Sequence, residues 1–346
     1  MLNRYLTPKK KLQFNPFGSF KICCFSDLHQ TINYDPRTLS TMHAIIEQEH
    51  PDLVLLGGDL WNEKPDATVD QLREFLDVFT SPMESRNIPW AHVYGNHDHD
   101  ILMDRRVMQA VFESYPNCVS AHTEAGVDGV SNFLLPIRSS DDQRVAFAVW
   151  GLDTHNLSDG QKLPGGVNLR QAHQAPDLPY GTCHWDFIRF NQLRWYYDTS
   201  EALEAHNGAP VHALMLMHAP ILEFGICMKN PERTSLVGDM PETLYSGSLN
   251  SGLFAAVLQR GDVKAIVSGH MHDDNFTAEY CGVKLCFDGA IGFRGVEADS
   301  GRCARIFTIR EDATECIDTH LVFARDVLQR KLLIGNRGYY GKKENG

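Results

Sequence analysis

Short apolar runs alternate along the chain with longer stretches of helical spacing. Lys21-Ile22-Cys23-Cys24-Phe25-Ser26, Leu53-Val54-Leu55-Leu56-Gly57-Gly58, Trp90-Ala91-His92-Val93-Tyr94-Gly95, Ala213-Leu214-Met215-Leu216-Met217 and Val263-Lys264-Ala265-Ile266-Val267-Ser268-Gly269 are five such runs. Each is short and ends on a turn-prone or ligand-type residue, which predicts buried strands. Between them, residues 38–49, 69–79 and 104–115 carry apolar side chains every three or four positions, which predicts helices. Strand followed by helix, repeated, is the pattern of an α/β class with parallel pairing.

The second half is less regular. Residues 144–152 read as a strand, 186–205 and 249–260 as helices. Residues 153–182 and 223–248 lack periodicity and read as long insertions, which in a compact domain are usually functional. Past Gly269, residues 276–280, 283–287, 305–309 and 320–323 are β-like pieces separated by turns, and predict antiparallel strands. The expected organisation is an arm over 1–19, one domain over 20–325 and a basic, Gly-rich tail over 326–346.

The residues just past each apolar run carry the chemistry. The five runs lead into Asp27-Leu28-His29, Asp59, Asn96-His97-Asp98, His218 and His270-Met271-His272. In open α/β sheets ligands collect at the carboxyl ends of strands. Carboxylate, amide and imidazole donors suit Zn, Mn, Fe or Co better than Ca or Mg. Asp27 and His29 are spaced by two, as are His270 and His272, so each pair can turn toward one ion. Asp59 follows two glycines, where the backbone turns sharply, a placement that suits a bridging carboxylate. Two ions about 3.5–4 Å apart require a bridging anion, normally a carboxylate or hydroxide.

Composition adds limits. The net charge of −12 disfavours a nucleic-acid backbone as the main partner. Bound cations would reverse the local sign at a site, so an anionic substrate is not excluded. No apolar run reaches the roughly 18–20 residues of a bilayer span, so no membrane partner is expected. Nine cysteines, several inside apolar runs, read as buried reduced thiols, and no second pair joins Cys281 and Cys286 to suggest a zinc site. With no signal-like segment after Lys9-Lys10-Lys11, a cytoplasmic location is expected. Oligomeric state is not legible.

The ordered set Asp27-Leu28-His29, Gly58-Asp59, Gly95-Asn96-His97-Asp98, His218 and Gly269-His270-Met271-His272 resembles the calcineurin-like metallophosphoesterases. Gln192-Leu193-Arg194-Trp195, the run from His218 to Phe224, and Asn250-Ser251-Gly252-Leu253-Phe254 resemble one branch of it. That branch holds purple-acid-phosphatase-like intracellular proteins and the yeast dosage-dependent cell cycle regulator phosphatase. The resemblance implies a four-layer sandwich of two mixed β-sheets flanked by helices. It implies two divalent or trivalent metal ions (Mn, Zn or Fe), one on Asp27, His29, Asp59 and His272, the other on Asp59, Asn96, His218 and His270. It also implies phosphate-ester hydrolysis by in-line attack of a metal-bridging hydroxide. His97 would assist the leaving group and Asp98 would orient His97 or its loop. Asn96, His97 and, at the start of the first insertion, His155 are the candidate substrate contacts; Lys64 and Arg170 are weaker ones, and His99 is either a supporting group or a bystander. The remaining histidines read as structural or surface groups.

Purple acid phosphatases place a tyrosine ligand three residues after the bridging aspartate. Here that position is Asn62, so a tyrosinate–iron colour is not expected. The stretch from Gly58 to Lys64 also lacks the arginine of the family's protein phosphatases. Monoesters, diesters and phosphoproteins remain as substrate classes, with a nuclease disfavoured by charge. A non-catalytic scaffold of the same fold is the competing function.

Overall fold

The computed structural model describes residues 2–156, 185–247, 249–294 and 301–328. Among the described residues twelve strands form two sheets: β1 (Leu12–Gln13), β2 (Ser19–Phe25), β3 (Leu53–Leu56), β4 (Trp90–His92), β5 (Phe133–Arg138), β6 (Val145–Leu152), β7 (Ala213–Met217), β8 (Val263–Ser268), β9 (Thr277–Tyr280), β10 (Val283–Phe287), β11 (Cys303–Arg310) and β12 (Ile317–Phe323). One sheet has the order β1-β5-β6-β7-β8-β10-β9, the other β12-β11-β2-β3-β4. Within them β2, β3 and β4 run parallel, as do β6, β7, β8 and β10. The late strands add antiparallel pairs: β9 with β10, and β11 with both β2 and β12.

Alternation along the strands explains why the runs are apolar throughout. In β2, Ile22 and Cys24 face the other sheet, while Cys23 and Phe25 face helices. In β7, Leu214 and Leu216 point between the sheets, and Ala213, Met215 and Met217 point outward. Both faces are therefore buried, as parallel strands in layered folds require. Helices Pro36–Glu49, Val69–Phe79 and Arg105–Glu113 cover the five-stranded sheet. Helices Phe190–Asn207 and Leu253–Arg260 cover the seven-stranded one. The four-layer sandwich of two mixed sheets is thus observed.

Local chemistry sets the helix ends. Asp35 accepts from the Arg37 N–H ahead of Pro36, and Thr68 with Gln71 forms a capping box. Two helices start later than their periodicity predicts. Phe190–Asn207 does not begin at 186, because Asp186 is held outside the helix by the Arg189 guanidinium at 2.7 Å. Leu253–Arg260 does not begin at 249, because Gly252 sits at φ 83° and its N–H is taken by the Asn250 side chain. The stretch read as irregular from 223 contains a helix, Glu223–Lys229. Residues 157–184, most of the first insertion and including Arg170, and the tail from 329 lie outside the described residues. Tyr5, Leu12 and Phe14 of the N-terminal segment are buried, and β1 pairs with β5.

Candidate metal centre

Register brings the five strand ends level. Phe25 pairs with Leu56 and Leu56 with His92 in one sheet, and Met217 pairs with Ser268 in the other. Asp27, Asp59 and Asn96 therefore leave the carboxyl edge of one sheet opposite His218 and His270 from the other. The chain turns abruptly there. Asp27, His29, Asp59 and His270 all take positive φ, between 47° and 71°. Such left-handed residues cost about 1–3 kcal/mol each and cluster at functional sites. Close approach is enforced by glycine: a Cβ on Gly58 would stand 2.7 Å from His218 Nδ1, and one on Gly95 would run into the Asp59 carboxylate.

Two groups of donor atoms result. Asp27, His29 and His272 converge, and so do Asp59, His218 and His270, each within 4.8 Å. The carboxylates divide their oxygens between two tasks. Asp27 Oδ2 accepts from Ser26 Oγ at 2.5 Å and from the His270 N–H at 3.0 Å. Asp27 Oδ1 has no hydrogen-bond partner among the described residues, although it is buried, and lies 3.3 Å from His272 Nε2 and 3.6 Å from His29 Nε2. Asp59 Oδ1 accepts from the His97 N–H at 2.7 Å. Asp59 Oδ2, equally buried and unpartnered among the described residues, lies 3.2 Å from His218 Nε2 and 3.7 Å from His29 Nε2, a member of each group. His29 and His272 bring their Nε2 atoms to 3.0 Å of each other.

These separations fit ions. Four donors around an ion at about 2.1 Å stand roughly 3.4 Å apart. Two orphaned buried carboxylate oxygens aimed at converging imidazoles are what a pair of cations would satisfy. Without them the site compensates internally. Burial disfavours charge on His218, but the Asp59 carboxylate outweighs it and raises the imidazole to about 10. Burial likewise opposes ionisation of Asp27, yet the imidazoles of His272 and His29 beside its Oδ1 hold it well below the usual carboxylate range. His270, buried and beside His218, is pushed down to about 3.

The outer partners are ordered too. His218 donates from Nδ1 to the Gly57 carbonyl at 2.8 Å, which turns Nε2 toward Asp59 and toward Asn96 Oδ1 at 3.0 Å. Among the described residues the Asp98 carboxylate makes no hydrogen bond to the His97 ring. That carboxylate accepts from the N–H groups of Gly95, Asp59, Leu60 and Trp61 at 2.8–3.2 Å, so it ties the Asn96 loop to the Asp59 loop. His97 sits with its ring 5.2 Å from that of His29, edge-on.

His155, at φ 61°, is half-buried and bonds Gln192 Oε1 at 2.9 Å; Gln192 in turn reaches the Asp153 carbonyl. His99 is pushed down to about 3 by burial and then by Arg105, and its Nε2 has no partner among the described residues. Lys64 is exposed. Asn62 is also exposed, and its N–H donates to the Gln30 carbonyl. Sequence reasoning missed two neighbours of the centre. Trp185 packs edge-on to His270 at 4.9 Å, and Asp100 bonds His97. A tryptophan at the close of an aperiodic stretch carries no signal of its own, whereas an acid three residues past a candidate histidine is a spacing that a turn brings together.

Comparison with known proteins agrees with this geometry. A relative from Arabidopsis thaliana, "Probable inactive purple acid phosphatase 14", is 28% identical over 83% of this chain and 74% of its own length. Phosphatase DCR2 from Saccharomyces cerevisiae is 25% identical over 78% of this chain and 47% of its own. A dimetal phosphatase from Danio rerio superposes with a TM-score of 0.55 at 12% identity, covering 88% of this chain and 99% of that one, and so shares the fold. The model of the calcineurin-like phosphoesterase family matches residues 20–274, and the chain belongs to that family.

Proposed function

We propose that the protein hydrolyses phosphate esters at a two-metal centre. The observation that carries this is the pair of buried carboxylate oxygens without a hydrogen-bond partner among the described residues, Asp27 Oδ1 and Asp59 Oδ2, each facing converging imidazoles. Asp27, His29, Asp59 and His272 would hold one ion, and Asp59, Asn96, His218 and His270 the other, with Asp59 shared. When bound, the ions supply positive charge for the phosphate oxygens and an acidified water as nucleophile near neutral pH.

The chain's own residues do the rest. Asp98, through four backbone N–H groups, keeps the Asp59 and Asn96 loops in fixed relation. His97, tied through its backbone N–H to Asp59, holds a proton at its ring for the departing oxygen. Asn96 and His155 border the space for substrate. Trp185 walls the side nearest His270.

The substrate is a phosphate ester of a small molecule or a phosphoprotein, and nucleic acid is disfavoured by the acidic balance. Metal identity lies among Mn, Zn and Fe on donor chemistry. Residues 20–325 act as one catalytic domain, with specificity carried by the insertions over 153–182 and 223–248. Among the described residues no helix is long and apolar enough to cross a membrane. A cytoplasmic location draws support from the eight described cysteines, which are all free thiols.

A second reading, a non-catalytic metal-binding scaffold, is favoured by the word "inactive" in the name of the Arabidopsis relative. One experiment separates the two. Metal analysis of the purified protein is joined to assays on an aryl monoester and an aryl diester with Mn, Zn or Fe added, for wild type and His97→Ala. Turnover that falls by about 10²-fold or more in the variant supports the esterase. Bound metal with no turnover of either ester would overturn it.

A further inference from the structure

The imidazole of His97 rests on a carboxylate that no part of the ligand pattern announces. His97 Nδ1 lies 2.7 Å from Asp100 Oδ2. Both belong to one tight turn: His97–His99 form a single 3₁₀ turn, and the Asp100 N–H donates to the His97 carbonyl at 3.0 Å. The carboxylate is thus anchored by main chain to the residue whose ring it holds. The His97 N–H is itself pinned to Asp59, and the His97 ring abuts His29 edge-on. Backbone, ring face and Nδ1 are each fixed by a different neighbour.

Stability does not explain the pair. The two side chains are 43% and 46% exposed. Exposed ion pairs of this kind contribute little to folding. What the contact does determine is which ring nitrogen is free. With Nδ1–H donated to Asp100, the working nitrogen is Nε2, and the ring cannot flip without losing the bond.

We propose that Asp100 is the positioning residue that fixes His97 for proton delivery to the leaving oxygen, and that the pair suits esters of alcohols rather than of acidic phenols. This rests on the phosphoesterase activity proposed for the centre. In the step served, the bond from phosphorus to the leaving oxygen breaks and its electron pair stays on that oxygen. The proton on His97 Nε2 moves to it, and the product leaves as an alcohol. The oxygen of water ends on phosphorus, the proton that water sheds goes to solvent, and His97 regains its own from solvent. Asp100 gains and loses nothing. An alkoxide needs this proton to depart, whereas a nitrophenolate leaves nearly unaided.

The test uses the full-length, metal-loaded protein with 4-nitrophenyl phosphate and glycerol 2-phosphate, or the matching diesters if wild type turns over only those. For Asp100→Asn the expected result is a kcat on the alkyl ester lowered about 10- to 100-fold and a far smaller drop on the nitrophenyl ester. KM and bound metal should stay at wild-type values, and Asp100→Glu should restore most of the loss. Adding Asp100→Asn to His97→Ala should cost nothing further. Equal losses on both esters, a further loss in the His97→Ala background, or loss of metal in both Asp100→Asn and Asp100→Ser would overturn the assignment of Asp100 alone. A metal-loaded wild type that turns over no ester would overturn the phosphoesterase reading and this proposal together.

Discussion

The two donor groups of the centre use the same residue types and differ in depth. His218 and Asp59 are shut off from solvent, with side-chain exposures of 0% and 1%. Asp27 is as deep, but its partners His29 and His272 are 10% and 22% exposed. The sheets explain the difference. His218 emerges from β7, which is flanked by β6 and β8, and it is pinned to the Gly57 carbonyl of the opposite sheet. His272 lies beyond the end of β8, past the turn at His270. A closed group favours retention of an ion; an open one favours exchange and access of substrate. Asp59 Oδ2 touches both groups, so the largest perturbation should erase the distinction altogether. Asp59→Ala should abolish binding of both ions and lower kcat/KM by more than the roughly 10–100-fold that outer partners cost. Elemental analysis together with turnover checks this, and a variant that retained one tightly held ion would separate the groups more than the geometry allows.

Single-group lesions should then split them. His218→Ala opens the deep group and leaves Asp59 Oδ2 buried without its neighbour, so that ion should be lost and the protein destabilised by about 3–5 kcal/mol when metal-free. His272→Ala removes a more exposed donor from the other group, and one ion should remain. Chelation of wild type should follow the same order, with one ion leaving quickly and the second slowly. Metal stoichiometry against time reads this directly. Simultaneous loss of both ions would mean that burial does not govern exchange here.

The donors of both groups were legible from sequence, but their supports were not. Asp27, Asp59, Asn96, His218 and His270 stood out because an apolar run stopping at a ligand-type residue reports both a strand and its carboxyl end. The four-bond role of Asp98 was not legible, since it depends on backbone N–H groups of Asp59, Leu60 and Trp61, contributed by another loop. Trp185 reaches His270 only through the tertiary fold. The helix Glu223–Lys229 is seven residues long with Gly225 inside it, too short for a periodic signal. β5 was unread because Pro136 interrupts it, and its place beside β6 near the sheet edge is what tolerates a proline.

Protonation offers a subtler probe of the deep group. Without metal, His218 is raised to about 10: burial opposes its charge, but Asp59 prevails. At pH 8 it therefore carries a proton that a ligating imidazole cannot keep. Metal uptake by the deep group should release that proton, and affinity should strengthen as pH rises toward 10. The stability of the metal-free protein should move the other way. A raised imidazole contributes stabilisation that is complete below the ordinary histidine value of about 6.5 and is lost as pH climbs through about 10. Calorimetry in buffers of different ionisation enthalpy counts the released proton, and thermal melts of metal-free protein between pH 6 and 10 test the slope. His218→Ala should flatten both. Binding of the first ion with no proton release at pH 8 would place it in the open group instead.

The smallest effect concerns colour, and it bears on what makes the two groups unequal. In purple acid phosphatases a tyrosine three residues past the bridging aspartate adds a phenolate to the iron. Here Asn62 holds that position and is exposed. The loop it belongs to is committed elsewhere: the Asn62 N–H bonds the Gln30 carbonyl at 2.8 Å, and the Trp61 N–H bonds Asp98. No phenolate is therefore gathered from this position, and the asymmetry of the centre rests on burial rather than on a distinctive ligand. Protein reconstituted with iron should show no strong visible band of the phenolate type. A purple product would mean that another tyrosine reaches the ions, and the contrast between the groups would then have to be rebuilt on ligand identity.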